Sequence, residues 1–182
     1  MYCEAHDTEI SARAGAKEIG ELVALFNAAA NGARPSLTAL GPEQLLAYSD
    51  DLAILRPVGD DFIYSHYGAN VAKIAGTDRK GQRTSELEGE VAAFFLGCYR
   101  RAVDSGRPLH TLHCSLDQDD SHLWERLLLP VLDDEGNDVV VVFNRSQEAH
   151  FAADLADTPA RVHLGNRSGK LYDVPQVGLV RC

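Results

Sequence analysis

The stretch Trp124–Phe143, WERLLLPVLDDEGNDVVVVF, decides the fold. Two β-prone runs flank a polar turn, Asp133-Asp134-Glu135-Gly136-Asn137. Gly136 can supply the positive φ that a short hairpin loop needs. The pattern therefore predicts an antiparallel hairpin built from strands His122–Leu132 and Val139–Phe143. Leu127-Leu128-Leu129 and Val139-Val140-Val141-Val142 are unbroken apolar runs. Successive side chains of a strand point to opposite faces, so such runs are apolar on both sides and both faces of the sheet need a cover.

Upstream, Val91, Phe94, Phe95, Cys98, Ala102 and Val103 recur at helical spacing and predict a helix over Glu90–Ser105. Gly106-Arg107-Pro108 closes it. A strand is expected over Leu109–Leu116, with His110, Leu112, Cys114 and Leu116 on one face and Thr111, His113 and Ser115 on the other. Earlier still, Leu52–Val58 and Asp61–Tyr67 read as a second hairpin. Strict alternation in its second arm places Phe62, Tyr64 and His66 together. Ala69–Ala75 reads as a short helix, residues 76–88 as loop with helical turns, and Pro42 opens a short helix reaching Tyr48.

At the N-terminus, Thr8 can cap a helix starting at Glu9 and closed by Asn31-Gly32. Ile10, Ala14, Ile19, Leu22, Val23, Phe26 and Ala30 make one apolar stripe along it. That stripe must be covered, either by the chain's own sheet or by the same helix of a second subunit. Beyond the last strand, Glu148–Leu155 is expected to run on as helix, followed by short apolar pieces at Val162–Leu164 and Val177–Val180.

The chain has 182 residues, 45% hydrophobic and 24% charged, as expected of one soluble globular domain with appendages. No run approaches the roughly 20 apolar residues of a membrane span. The N-terminus lacks the basic flank and apolar segment of a secretory signal, so a cytoplasmic protein without membrane contact is expected. Acidic side chains outnumber basic ones 27 to 17, for a net charge of -10. A surface of that sign repels phosphate backbones, so nucleic-acid binding is not expected. The four cysteines, Cys3, Cys98, Cys114 and Cys182, show no CxxC or Cys/His zinc spacing, and no metal site is predicted.

The order strand, strand, short helices, long helix, three antiparallel strands is that of PAS domains. Asp61-Phe-Ile-Tyr64-Ser-His-Tyr67-Gly68, then Ala75-Gly-Thr-Asp78-Arg-Lys-Gly81-Gln-Arg-Thr-Ser-Glu-Leu87, resembles a PAS subfamily common in short proteobacterial proteins. Cys98–Pro108 is similar to that subfamily's helix end, and Trp124–Pro130 to the strand after it. The resemblance covers about residues 34–145. It implies an α+β fold: a PAS-like five-stranded antiparallel sheet with helices on one face, plus the N-terminal helix. The organisation expected is an N-terminal helical extension over 1–33, a sensor domain over 34–146 and a C-terminal tail over 147–182 with no assigned role. His66 departs from the subfamily, which usually has an apolar residue there.

The resemblance implies signal transduction without catalysis, by a sensor that binds a small ligand or a protein partner and signals through its flanking helix. The partners expected are a second copy of the chain and a signalling protein. The expected ligand pocket, between the sheet and the helix Glu90–Ser105, comprises Tyr64, His66, Phe94, Cys98, Leu112, Cys114 and Leu127. No cofactor is named by the sequence. The long helix carries no histidine to ligate haem iron, and the Asn-Cys-Arg-Phe-Leu-like motif of a flavin photosensor is absent. His110 and His113, three apart on a strand, point to opposite faces and do not share an ion. No phosphate-cradling glycine motif occurs. The alternative from another class is a small α+β enzyme using Asp61, Tyr64 and His66 as acid/base groups.

Overall fold

The computed structural model describes residues 2–114 and 122–151, with the short strands Arg161–Leu164 and Leu171–Asp173 beyond them. Its frame is an antiparallel sheet. The strands are β1 (Tyr2–His6), β2 (Leu52–Val58), β3 (Asp61–Tyr67), β4 (Leu109–Cys114), β5 (His122–Leu132), β6 (Asp138–Phe151), β7 (Arg161–Leu164) and β8 (Leu171–Asp173). The main path runs β1-β4-β5-β6-β2-β3, with β7 joined to the far end of β6 and β8 to β7. Among the described residues five α-helices accompany it: α1 (Ile10–Arg13), α2 (Lys17–Ala30), α3 (Pro42–Leu46), α4 (Ala69–Ala75) and α5 (Glu90–Ser105).

The Trp124–Phe143 hairpin is built as its sequence requires. Gly136 has φ +82°, and the Asp133 carboxylate accepts hydrogen bonds from the Glu135 and Asn137 amides, closing the loop. The apolar runs divide by parity. Leu127, Leu129, Val131, Val139, Val141 and Phe143 meet Ile19, Leu22 and Phe26 of α2 and Leu45 of α3. Leu128, Val140 and Val142 meet Phe94, Cys98, Tyr99 and Ala102 of α5. Helices thus cover both faces, and α2 supplies the cover on the side away from α5. An i, i+3, i+7 stripe of large apolar residues is what a helix needs to lie on a sheet.

The structure corrects the sequence reading at both ends. A sixth strand, β1, pairs with β4, so the N-terminal residues belong to the sheet and the five-strand expectation falls short. Its inward residues are the small Cys3 and Ala5, which leave little hydrophobic signature. The single N-terminal helix is two, α1 and α2, interrupted between Arg13 and Lys17. Residues 148–151, expected to be helical, continue β6 instead and pair with β5 at Glu148 and with β7 from Ala149 to Phe151. The Val177–Val180 piece lies outside the described residues.

Two local features shape the α5 side. Gly68 must be glycine because a Cβ there would collide with the Ser49 and Asp50 backbone. The loop after α4 lies along the free edge of β3: the Gly81 amide donates to the Tyr64 carbonyl at 2.8 Å, and the Tyr64 amide to the Gln82 carbonyl at 3.1 Å. That edge is thereby protected, and α4 is held against the end of the sheet.

Candidate functional site: a cavity between the sheet and helices α4 and α5

A cavity of about 530 Å³ lies on the α5 side of the sheet. Val71 and Ile74 of α4, Leu87, and Val91 and Phe95 of α5 form its helical wall. Tyr64 and Tyr67 of β3, His113 of β4, and His122, Trp124 and Arg126 of β5 form its floor, with Asn144 of β6 and Arg79 completing it. Ile74 is 38% exposed and stands where the cavity meets solvent.

β5 supplies the floor by alternation. Trp124, Arg126 and Leu128 face α5, whereas Glu125, Leu127 and Leu129 face α2. Arg126 is 1% exposed. Its guanidinium lies 3.8 Å from the Phe95 ring centroid and 5.4 Å from that of Tyr99. Those ring faces compensate part of the cost of burying a cation. The Nε and Nη2 groups, however, have no hydrogen-bond acceptor. His113 stacks on Trp124 at 6.2 Å with an interplanar angle of 5°, and meets Phe95 edge to face. Its Nδ1 is also unpaired. Burial, and after it the Arg126 charge, hold the imidazole well below its ordinary pKa, so it is neutral at pH 7.

The tyrosines are neutral too. Burial first, and then Tyr99, raise Tyr64 well above the ordinary phenol value; burial likewise pushes Tyr67 up to about 12. Among the described residues that line the cavity none is acidic. The charged residues described on the cavity wall, Arg79 and Arg126, are therefore cationic, in a protein whose net charge is -10.

Of the residues expected in the pocket, Tyr64 lines the cavity. Phe94 and Cys98 lie on the same side of the sheet, packed behind the wall in the α5 core. His66 and Leu127 do not face it. Between Ile54 and Leu55 the β2–β3 register slips by one residue: Leu55 pairs with Tyr64 and Ile54 with His66, leaving Ser65 as an extra residue. This bulge reverses the alternation. Tyr67 therefore enters the cavity in place of His66, and His66 Nε2–H donates to the Ser49 carbonyl at 3.0 Å. Leu127 is fully buried against α2 on the other face, and Leu112, also expected in the pocket, does not line the cavity and is half-buried opposite Glu125. The Cys114 side chain lies outside the described residues.

The alternative acid/base set does not converge. Tyr64 and His66 stand on opposite faces. The Asp61 carboxylate is taken by the Ser85 hydroxyl at 2.6 Å and by the Phe62 amide at 2.7 Å. Among the described residues no group of three or more His, Cys, Asp or Glu side chains could hold a metal, and no helix is long and apolar enough to cross a membrane.

Sequence reasoning missed Arg126, His113, Trp124, Tyr67 and Phe95. Arg126 did leave a signal. A charged residue next to three leucines, in a strand apolar on both faces, points inward whichever face it takes.

The opposite face carries a second polar cluster. Glu125, 4% exposed, accepts hydrogen bonds from the Gly15 amide at 2.8 Å and the Ala16 amide at 3.1 Å. His110 Nε2–H donates to the same carboxylate at 2.9 Å. This anchor lies at the break between α1 and α2, just before the first turn of α2, where a negative charge is favoured.

No family model matches the chain, and no curated protein matches it. Among solved structures it is similar to an RNA-binding light-oxygen-voltage receptor, with 15% sequence identity and a TM-score of 0.46. The match covers 79% of this chain and 38% of that one. The RNA binding is a property of that receptor.

Proposed function

We propose that this chain is a PAS-type sensory module rather than an enzyme: a small molecule occupies the cavity, and the flanking helix α2 carries its effect to a partner protein. The observation that carries this reading is the cavity itself. It has the size of ordinary ligand sites and mixes apolar and aromatic walls with a few convergent polar groups.

The route to the helix is short. Neighbouring residues of β5 point to opposite faces, Arg126 into the cavity and Glu125 to the amides that lead into α2. A ligand that draws Arg126 also moves the backbone carrying Glu125. Occupancy and the seating of α2 are thereby coupled through one strand, and the coupling is as large as the ligand's preference for one strand position over the other. The net charge of -10 favours a protein over a nucleic acid as the receiver.

Native mass spectrometry of freshly purified protein tests the first half. A bound small molecule that departs on denaturation is the expected result, and a protein of bare sequence mass that binds nothing from a metabolite mixture would sink the reading. Hydrogen exchange tests the second half: α2 amides should change protection when the cavity fills.

A further inference from the structure

We infer that the cavity is built for a small aromatic carboxylate, with Arg126 as its counter-ion. The inference rests on the sensory reading above and specifies its ligand. Arg126 is buried to 1% exposure, lines the cavity, and has two N–H groups without an acceptor. A buried cation without its anion is costly, and the ring faces of Phe95 and Tyr99 compensate for charge without satisfying hydrogen bonds. The missing element is a planar acceptor that meets a guanidinium edge, as a carboxylate does.

Among the described lining residues no carboxylate competes for that role, and the second charged one, Arg79, has the same sign. The Nδ1 of His113 is a further unpaired polar atom on the same floor. The rest of the ligand follows from the remaining walls. Tyr64, Tyr67, Phe95 and Trp124 present rings, which favour a flat aromatic body by stacking and edge contacts. At roughly 30 Å³ per heavy atom, the share of a water in the liquid, the volume admits on the order of 15–20 non-hydrogen atoms. That is one ring with a side chain, or two fused rings, bearing a single acid group.

Trp124 is the chain's single tryptophan and lines the cavity, so its fluorescence reports occupancy directly. The full-length protein, stripped of any bound molecule by unfolding and refolding, is titrated with 2-naphthoate, 2-naphthamide and 2-naphthylmethylamine. The carboxylate should bind at least about tenfold more tightly than the amide, the difference expected of a charge-assisted hydrogen bond to a buried guanidinium, and the amine most weakly. Arg126→Met should abolish the preference for acid over amide. His66→Leu, on the opposite face, should retain it. Equal affinity for acid and amide overturns the inference while leaving a ligand-binding module in place. Failure of all three to bind overturns it as well, and mass spectrometry of the freshly purified protein then decides separately whether the cavity holds some other molecule. If Arg126→Met does not fold, the acid and amide titrations of the unmodified protein decide alone.

Discussion

His113 shows how the cavity sets the chemistry of a single side chain. It is pressed between Trp124 and Phe95, with Arg126 nearby on the same floor. Burial first and the Arg126 charge second keep it neutral well below the ordinary histidine value of 6.5. In the unfolded chain the same ring titrates near 6.5. Below that pH the unfolded state binds a proton that the folded state refuses, so stability falls as pH falls. The contribution is complete above pH 6.5 and shrinks at lower pH, by up to about 1.4 kcal/mol per pH unit. Urea unfolding between about pH 5 and 7.5 should show this slope in the native protein and a shallower one in His113→Leu. Equal slopes would mean that His113 is protonated in the fold, and its placement against Arg126 would be wrong. The difference between the two slopes isolates this residue because the chain's other six histidines are common to both proteins.

At the scale of elements, the α1–α2 break depends on Glu125. Its carboxylate serves two backbone amides and His110 at once, behind a face that is almost fully buried. Glu125→Ala would leave three donors without an acceptor, at roughly 1–3 kcal/mol each for those that water cannot reach. The expected result is a loss of about 3 kcal/mol or more in denaturant unfolding, with the fastest added hydrogen exchange at the first turn of α2. Unchanged exchange there would mean that α2 is seated by its apolar stripe alone. The break itself was not legible in the sequence, because it is imposed by a residue more than a hundred positions away. What was legible had a local cause: the Gly136 turn, α4, the α5 helix with its Gly106 stop, and the two-sided strands all follow from spacing within a dozen residues. The pocket was less legible for a related reason. Alternation from Phe62 predicts the direction of Tyr64, but the bulge at Ser65 is a property of the β2–β3 pair, and it exchanges His66 for Tyr67. One slip of register moves every later side chain to the other face.

For the whole molecule, the question is what the N-terminal stripe is for. A helix carrying Ile19, Leu22 and Phe26 cannot be left in water, and the sequence allowed two covers, the chain's own sheet or a second copy. In the structure all three are buried within the chain, against Leu127, Leu129, Val141 and Phe143. The large apolar residues exposed among those described are Leu46, Val58 and Ile74, which belong to three separate elements. The stripe's need for a cover is therefore met within the chain, and a dimer through residues 10–30 no longer follows from it. Phe26→Ala separates the two covers. If α2 belongs to its own core, the variant loses about 3–5 kcal/mol in denaturant unfolding, as a buried phenylalanine does, and keeps its subunit number in sedimentation. If α2 faces a second copy, the variant keeps most of its stability and the assembly falls apart. Deleting residues 1–30 gives an independent answer. It removes β1 as well as the helix, uncovers a sheet face rich in leucine, valine and phenylalanine, and should yield aggregate rather than a soluble monomer. A soluble, folded product would show that the sheet can stand with one face bare, and α2 would then be free to leave it for a partner.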